Sequence, residues 1–205
     1  FAPMFSNPFK EPDGAAITDE QIKASDTDTA VYVIARNSGE GADRSMGRGD
    51  YMLTEAELEH IKKLAAAYKH TIVLLNVGGV IDTSELKGIE GVNAIVLVSQ
   101  LGNIGGYAVA DALTGKASPS GKLTTTWAAA YKDYPSSEEF SHNNGDTEDG
   151  WYTEGIYVGY RYFDTFNVTP NYCFGYGRSY TDFDIQVQSV CADEEKVSVE
   201  VKVTN

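Results

Sequence analysis

The chain has 205 residues, with 16 Lys+Arg against 30 Asp+Glu, a formal charge of −14. That length fits one α/β domain with some chain to spare, and 42% hydrophobic residues is enough to build a core. The acidic balance disfavours a sequence-independent grip on nucleic acid, which needs clustered Lys and Arg. No apolar run approaches the roughly 20 residues that would span a bilayer, so no membrane partner is expected. Cys173 and Cys191 are too few for a disulfide framework and lack CxxC spacing, and His60, His70 and His142 are scattered. A metal or redox centre is therefore disfavoured, and no cofactor is expected.

The chain opens FAPMFSNPF, with no initiator Met and no charged-then-apolar leader, which reads as a cut edge and leans towards a cytoplasmic setting. Three β-branched runs follow: AVYVIA (30–35), TIVLLN (71–76) and AIVLVS (94–99). Such continuous apolar strands are expected where both faces of a sheet are covered. Between the first two lies TEAELEHIKKLAAAYK (54–69), with Leu58, Ile61, Leu64, Ala65 and Tyr68 on one helical face. Thr54 and Glu57 there make a capping box. After the third strand, GYAVADALTG predicts a short helix closed by Gly115. The alternation predicts an α/β fold, a three-layer sandwich around a mainly parallel sheet. GKLTTTW (121–127) is expected to add a strand, and residues 128–152, with Ser136, Ser137, Asn143, Asn144 and Gly145, to form a long surface loop.

Residues 1–182 are thus expected to form the sandwich domain. From Phe183 the pattern changes to period two: Phe183, Ile185 and Val187 on one strand, Val197, Val199, Val201 and Val203 on the next. This predicts an antiparallel hairpin over 183–205, the incomplete beginning of a second domain, because a lone hairpin is marginal in water.

In a parallel sheet, ligands bind beyond the carboxyl ends of the strands. The first such segment, RNSGEGADR (36–44), sets Glu40 between Gly39 and Gly41, with Arg36, Asp43 and Arg44 around it. A carboxyl flanked by glycines at a strand end can act as a general acid; it can equally be a solvated loop acid. The second, VGGVIDTS (77–84), brings Ser84 near Asp82 but has no GxSxG elbow, so a hydrolase triad is disfavoured. The third, QLGNIGG (100–106), lacks both the G-x-G-x-x-G spacing and a P-loop lysine, so tight helix–strand packing is favoured over phosphate binding. Asn167-Val168-Thr169 matches a glycosylation sequon, read here as chance. The tyrosine-rich stretch 154–183 suits a sugar face or a domain seam, and the seam is favoured because the segment leads into the hairpin.

Six runs in order, ARNSGEGADR, YMLTEAELEHI, VLLNVGGVIDTS, AVADALTGKASPSGKL, EGIYVGYRYFDTFNVTP and FGYGRSYTDF, resemble the second domain of glycoside hydrolase family 3, which contains β-glucosidases and β-xylosidases. The likeness covers about residues 30 to 183. It implies a retaining glycosidase in which a (β/α) barrel, on the same or a companion chain, supplies an Asp nucleophile and most sugar contacts. The sandwich would supply the acid/base, here Glu40 in the S-G-E-G sequence, with Arg36, Ser38, Asp43 and Arg44 as substrate-binding or loop-supporting neighbours. The two carboxyls of a retaining pair sit roughly 5 Å apart. The resemblance further implies a fibronectin type III-like domain after the sandwich, an oligosaccharide or β-glucoside substrate, and room for a homo-oligomer. This chain alone would be inactive, and a non-catalytic scaffold or carbohydrate-contacting module is the alternative. An acetylhexosaminidase-like branch, with its acid/base on the barrel, is disfavoured by the intact S-G-E-G. Departures from the family pattern are Leu101-Gly102-Asn103-Ile104-Gly105-Gly106 in place of P-G-Q-E-G-G, Cys173 and Thr124 in place of Pro, and Arg178 in place of Leu.

Overall fold

The computed structural model describes residues 14–36, 45–139 and 148–205. Strands β1 (Thr29–Arg36), β2 (His70–Val77) and β3 (Val92–Leu97) pair in parallel in the order β1-β2-β3. Register places Ile34 beside Leu75 and Leu75 beside Leu97, so these side chains share one face. That face holds the core: Ile34, Val73, Leu75 and Val77 meet Leu58 and Ile61 of the helix above, with Leu53, Ile81, Leu86 and Trp127 closing the rim. On the opposite face Leu74 is buried, but Val31 and Val33 are about half exposed. Among the described residues the sandwich is therefore asymmetric in cover.

A short helix α1 (Asp19–Ala24), with Thr18 and Gln21 forming its capping box, precedes β1. Helix α2 (Glu55–Ala67) starts where the sequence places it. Glu57 N donates to Thr54 Oγ1, and Thr54 N donates to Glu57 Oε2, so two otherwise orphan amides are satisfied. Leu58, Ile61, Leu64 and Ala65 are buried as the periodicity requires, while Tyr68 caps the helix and is half-buried. His60 joins the buried stripe, and its Nδ1 lies 3.2 Å from the Tyr32 hydroxyl, which gives a buried imidazole its partner. Gly91 lets β3 begin hard against the end of α2: at φ +90°, a Cβ there would lie 2.6 Å from the Ala65 carbonyl oxygen.

The connection from β2 to β3 carries a single helical turn, α3 (Ser84–Lys87). Helix α4 (Gly105–Leu113) follows β3, with Gly115 at φ +76° beyond its end. The run 121–127 is not a further strand of the sheet. Leu123 exchanges hydrogen bonds with Gly175 and Tyr176, and Trp127 with Asn171 and Tyr172, and only Trp127 makes a β-bridge, to Tyr172. The chain is tied to the tyrosine-rich segment at two points and bends between them, so no ladder forms.

Nor is the segment after Trp127 simply surface. Tyr131–Asp133 forms a 3-10 turn, and the Tyr134 ring packs edge-on against Phe163 at 5.9 Å. The Tyr134 hydroxyl accepts from Ala128 N at 3.0 Å and donates to the Thr126 carbonyl. Residues 140–147, including Asn143, Asn144 and Gly145, lie outside the described residues. Helix α5 (Tyr160–Thr165) buries Phe163. Asn167 follows at φ +54°, and Val168 N donates to the Phe163 carbonyl, closing the helix as a Schellman-type cap. The asparagine of the apparent sequon thus has a structural reason to be there.

Strands β4 (Asp184–Ala192) and β5 (Val197–Thr204) form the expected antiparallel hairpin. Ile185 and Val187 face Val203 and Val201, then the register shifts between Val187 and Ser189. The extra residue, Gln188, changes the parity, so Val190 and Ala192 stay on the same face opposite Val199 and Val197. One continuous apolar face results, and all of its side chains are exposed.

Three outcomes test this packing by denaturant and thermal unfolding. Ile61→Ala should cost about 2–5 kcal/mol, because it empties a fully buried position, and Thr54→Ala about 1 kcal/mol, because it removes the cap. Burial pushes the Tyr134 phenol above its ordinary range, and Tyr172 likewise. The preference of the fold for neutral phenols is complete below about pH 10, the value in the unfolded chain, and is lost as pH rises through the higher folded values. Stability should therefore fall above about pH 10, and Tyr134→Phe should flatten that fall.

Candidate functional site

The carboxyl end of β1 is occupied by an arginine that is only 5% exposed. Arg36 can be buried there because each of its five N–H groups finds an acceptor. Nε donates to the Asp50 carbonyl at 2.9 Å. One terminal nitrogen donates to the Ala35 carbonyl and Glu57 Oε1, and the other to the Met52 carbonyl and Glu57 Oε2. The Glu57 contacts are both 2.7 Å, a two-pronged ion pair in which the charges are nearly withdrawn from solvent. With all five donors occupied, the guanidinium has none left for a sugar hydroxyl.

Glu57 carries two duties from one position. As the third residue of α2 it completes the capping box, and from there it reaches the end of β1. The helix start and the strand end are thereby one hydrogen-bonded unit. Asp50 adds to it: its carbonyl accepts from Arg36, and its carboxylate Oδ2 accepts from Ser45 N at 2.5 Å. Arg48 then bridges the same stretch to α2 and α3, pairing with Glu55 at 2.8 Å and Glu85 at 3.1 Å. Ser38, Glu40, Asp43 and Arg44 fall between Arg36 and Ser45, outside the described residues. Of the five residues that the family resemblance points to, Arg36 is the one that falls among the described residues.

At the end of β3, Ser99 adopts φ +53°, a left-handed backbone that is uncommon for serine. Gln100 beyond it lies across Gly78 at the end of β2; a Cβ on Gly78 would meet Gln100 Oε1 at 2.9 Å. Gln100 Nε2 donates to the Arg36 carbonyl at 3.4 Å, so all three strand ends are connected. Ser84 has a structural occupation. Its N–H donates to Asp82 Oδ1 at 2.8 Å, and its Oγ lies 2.5 Å from that oxygen and 2.9 Å from the Ala129 carbonyl. This pattern opens α3 and commits the Ser84 hydroxyl to Asp82 and to a backbone carbonyl. In the third segment, Gly105 is buried with Leu101 against it, a packing role. The tyrosine-rich stretch divides: Phe163 is core, whereas Ile156, Phe166 and Tyr180 are strongly exposed. Among the described residues no group of three or more His, Cys, Asp or Glu is placed to hold a metal ion.

Glu57, Asp50 and Gln100 were not singled out by sequence reasoning as parts of this edge. Glu57 was visible as a capping residue, but its second duty depends on a strand 21 residues away in sequence. Asp50 and Gln100 act through backbone groups of their partners, which leave no side-chain pattern to read.

Fold and strand-end geometry define an α/β domain whose parallel sheet is tied together at its carboxyl edge by Arg36, Glu57 and Gln100. Residues 10–160 match the glycosyl hydrolase family 3 C-terminal domain, and the chain belongs to that family. It is 42% identical to β-glucosidase A of Butyrivibrio fibrisolvens, across 76% of this chain and 21% of that protein. It is 39% identical to a β-glucosidase of Ruminococcus albus, across 92% of this chain and 20% of that protein. Among solved structures, a β-glucosidase from Paenibacillus barengoltzii superposes with TM-score 0.84 at 39% identity, covering 93% of this chain and 21% of that one. β-Glucosidase 3B from Thermotoga neapolitana in complex with glucose gives 0.85 at 39% identity, covering 94% and 28%. The chain thus spans about a fifth of the length of the curated relatives it matches.

Removing one member of the buried pair strands the other. Glu57→Ala should lower unfolding stability by about 3–5 kcal/mol, and the effects of Arg36→Met and Glu57→Ala should be strongly non-additive in a double-mutant cycle. Additive effects would show that the pair does not act as a unit.

Proposed function

We propose that this chain is the sandwich domain, with the beginning of a fibronectin type III-like domain from Phe183, of a retaining β-glycosidase acting on terminal β-linked glucose or xylose. Glu40 is its general acid/base. The nucleophilic carboxylate belongs to a (β/α) barrel on the same or a companion chain, and this chain by itself hydrolyses nothing. The observation that carries the reading is the S-G-E-G sequence beginning two residues beyond Arg36, immediately past the carboxyl end of β1, in a domain of this family. The open edge of a parallel sheet is where such folds do chemistry.

In the first half-reaction, the barrel carboxylate attacks the anomeric carbon while the Glu40 carboxyl gives its proton to the departing glycosidic oxygen. The C–O bond breaks as the glycosyl–enzyme ester forms. In the second, Glu40, now a carboxylate, takes a proton from water as that water attacks the anomeric carbon and releases the nucleophile. Protons and electron pairs balance across the two steps, so no cofactor enters. Asp43, Arg44 and Ser38 support the segment or meet the substrate, and Arg36, fully occupied by protein acceptors, serves as support.

The test is Glu40→Ala in the complete enzyme, with two substrates of unequal leaving-group quality. An alkyl β-glucoside, which needs protonation, should lose on the order of 10²–10⁴ in turnover. An activated aryl β-glucoside should lose much less in glycosyl-enzyme formation, and azide should restore its turnover. Small, equal losses would place the acid elsewhere and leave this domain a scaffold. Equal large losses without azide rescue would assign Glu40 to folding or docking.

A further inference from the structure

The hairpin leaves the sandwich without burying itself there. Among the described residues every side chain of β4 and β5 is exposed, so burial against the sheet or helices does not set its orientation. The chain that leads into it is instead attached, residue by residue, to the stretch 112–123. Gly175 N donates to the Leu123 carbonyl and Leu123 N to the Tyr176 carbonyl, both at 2.8 Å. Lys122 Nζ donates to the Gly177 carbonyl. Ser179 Oγ lies 2.9 Å from Ser118 Oγ, and Tyr180 N donates to that same Ser118 oxygen at 3.3 Å. The Tyr180 hydroxyl donates to the Ala112 carbonyl at 2.6 Å, in the last turn of α4. Gly177 permits the approach, since a Cβ there would lie 2.5 Å from the Gly121 carbonyl oxygen.

From this run of attachments we infer that residues 175–180 are a rigid joint, which fixes the β4–β5 hairpin in one orientation on the sandwich. The inference stands apart from the role of Glu40. Domains that share little buried surface ordinarily move against one another, so a fixed orientation here is the joint's own doing. One exposed hydrogen bond contributes little, because water competes for both partners. Here five of six consecutive residues are bound, and freeing the chain requires several bonds to break together. The Ala112 carbonyl already takes Gly115 N, and its second lone pair takes the Tyr180 hydroxyl. Beyond this last anchor, Thr181, Asp182 and Phe183 alone precede β4; they include no glycine and reach about 10 Å when extended.

The test uses Cys173 and Cys191, both free and exposed, as spin-label sites on either side of the joint. Cys173 adjoins Tyr172, which bridges to Trp127. Cys191 sits opposite Ser198, on the face away from the valines, roughly 20 Å along β4 from the joint, so a small swing becomes a large displacement. In the complete protein, with any cysteine outside residues 1–205 replaced by serine, double electron–electron resonance should give a narrow distance distribution. The double variant Tyr180→Phe, Ser118→Ala, which frees Ser179 and Tyr180 together, should broaden it, and Gly177→Ala should shift its mean. Amide exchange in the β4–β5 ladder should stay as slow as in the parent, because the hairpin swings without melting. A broad parental distribution, or variants indistinguishable from the parent, would overturn the inference. So would broadening accompanied by lost hairpin protection, since that is unfolding and not release of a restraint. If Gly177→Ala does not fold, the double variant decides by the same criteria.

Discussion

The arrangement of this domain depends on one buried ion pair. Arg36 ends an otherwise apolar strand with a charge that the protein interior would not tolerate alone, and Glu57 is the group that makes it tolerable. Once the pair forms, three backbone carbonyls are drawn to the remaining guanidinium donors: Ala35 within β1, and Asp50 and Met52 on the way to α2. The helix start, the strand end and the returning chain then have one mutual geometry. An apolar pair of similar volume could pack there, but it would not gather three carbonyls to a point. The pair therefore serves placement more than net stability, in keeping with the modest return of buried charges.

That placement matters because the chemistry proposed for the segment beyond Arg36 is a proton transfer. Such a transfer depends on the acid lying within hydrogen-bond reach of the leaving oxygen. An acid carried on a chain with free ends would spend little time at that distance. Gln100 reaching from β3 and Asp50 on the returning chain tie Arg36 and Ser45, the described residues on either side of the S-G-E-G sequence, to the sheet edge. The left-handed Ser99 fits the same logic, since an uncommon backbone geometry at a strand end turns the next side chain across its neighbours.

Most of the framework was legible in the sequence because it rests on local rules. Period-two and continuous apolar runs gave the strands, and the Thr54–Glu57 spacing gave the start of α2. Alternating valines gave the hairpin. The failures have a common cause in long-range pairing. Leu123 and Trp127 sit in a run that reads as a strand, yet their partners lie about fifty residues on and hold them at only two points. Tyr134 sits in polar surroundings but is drawn inward by Phe163. Gln188 looks like any alternating polar residue, and its bulge is visible only once Val190 is seen to share a face with Val187. At the site, Arg36 stood out by its position, whereas Asp50 and Gln100 work on backbone atoms that no residue pattern records.

The central claim is that this sheet edge supplies an acid/base rather than a nucleophile, and the stereochemistry of a single product tests it. The complete enzyme carrying Glu40→Ala would be given an activated aryl β-glucoside and azide, and the anomeric configuration of the glucosyl azide read by proton NMR. An acid/base deletion leaves the glycosyl-enzyme intact and opens the face from which water would have come, so the product should be the β-azide. An α-azide would mean that azide had taken the place of the nucleophile, and the role assigned to Glu40 would be wrong.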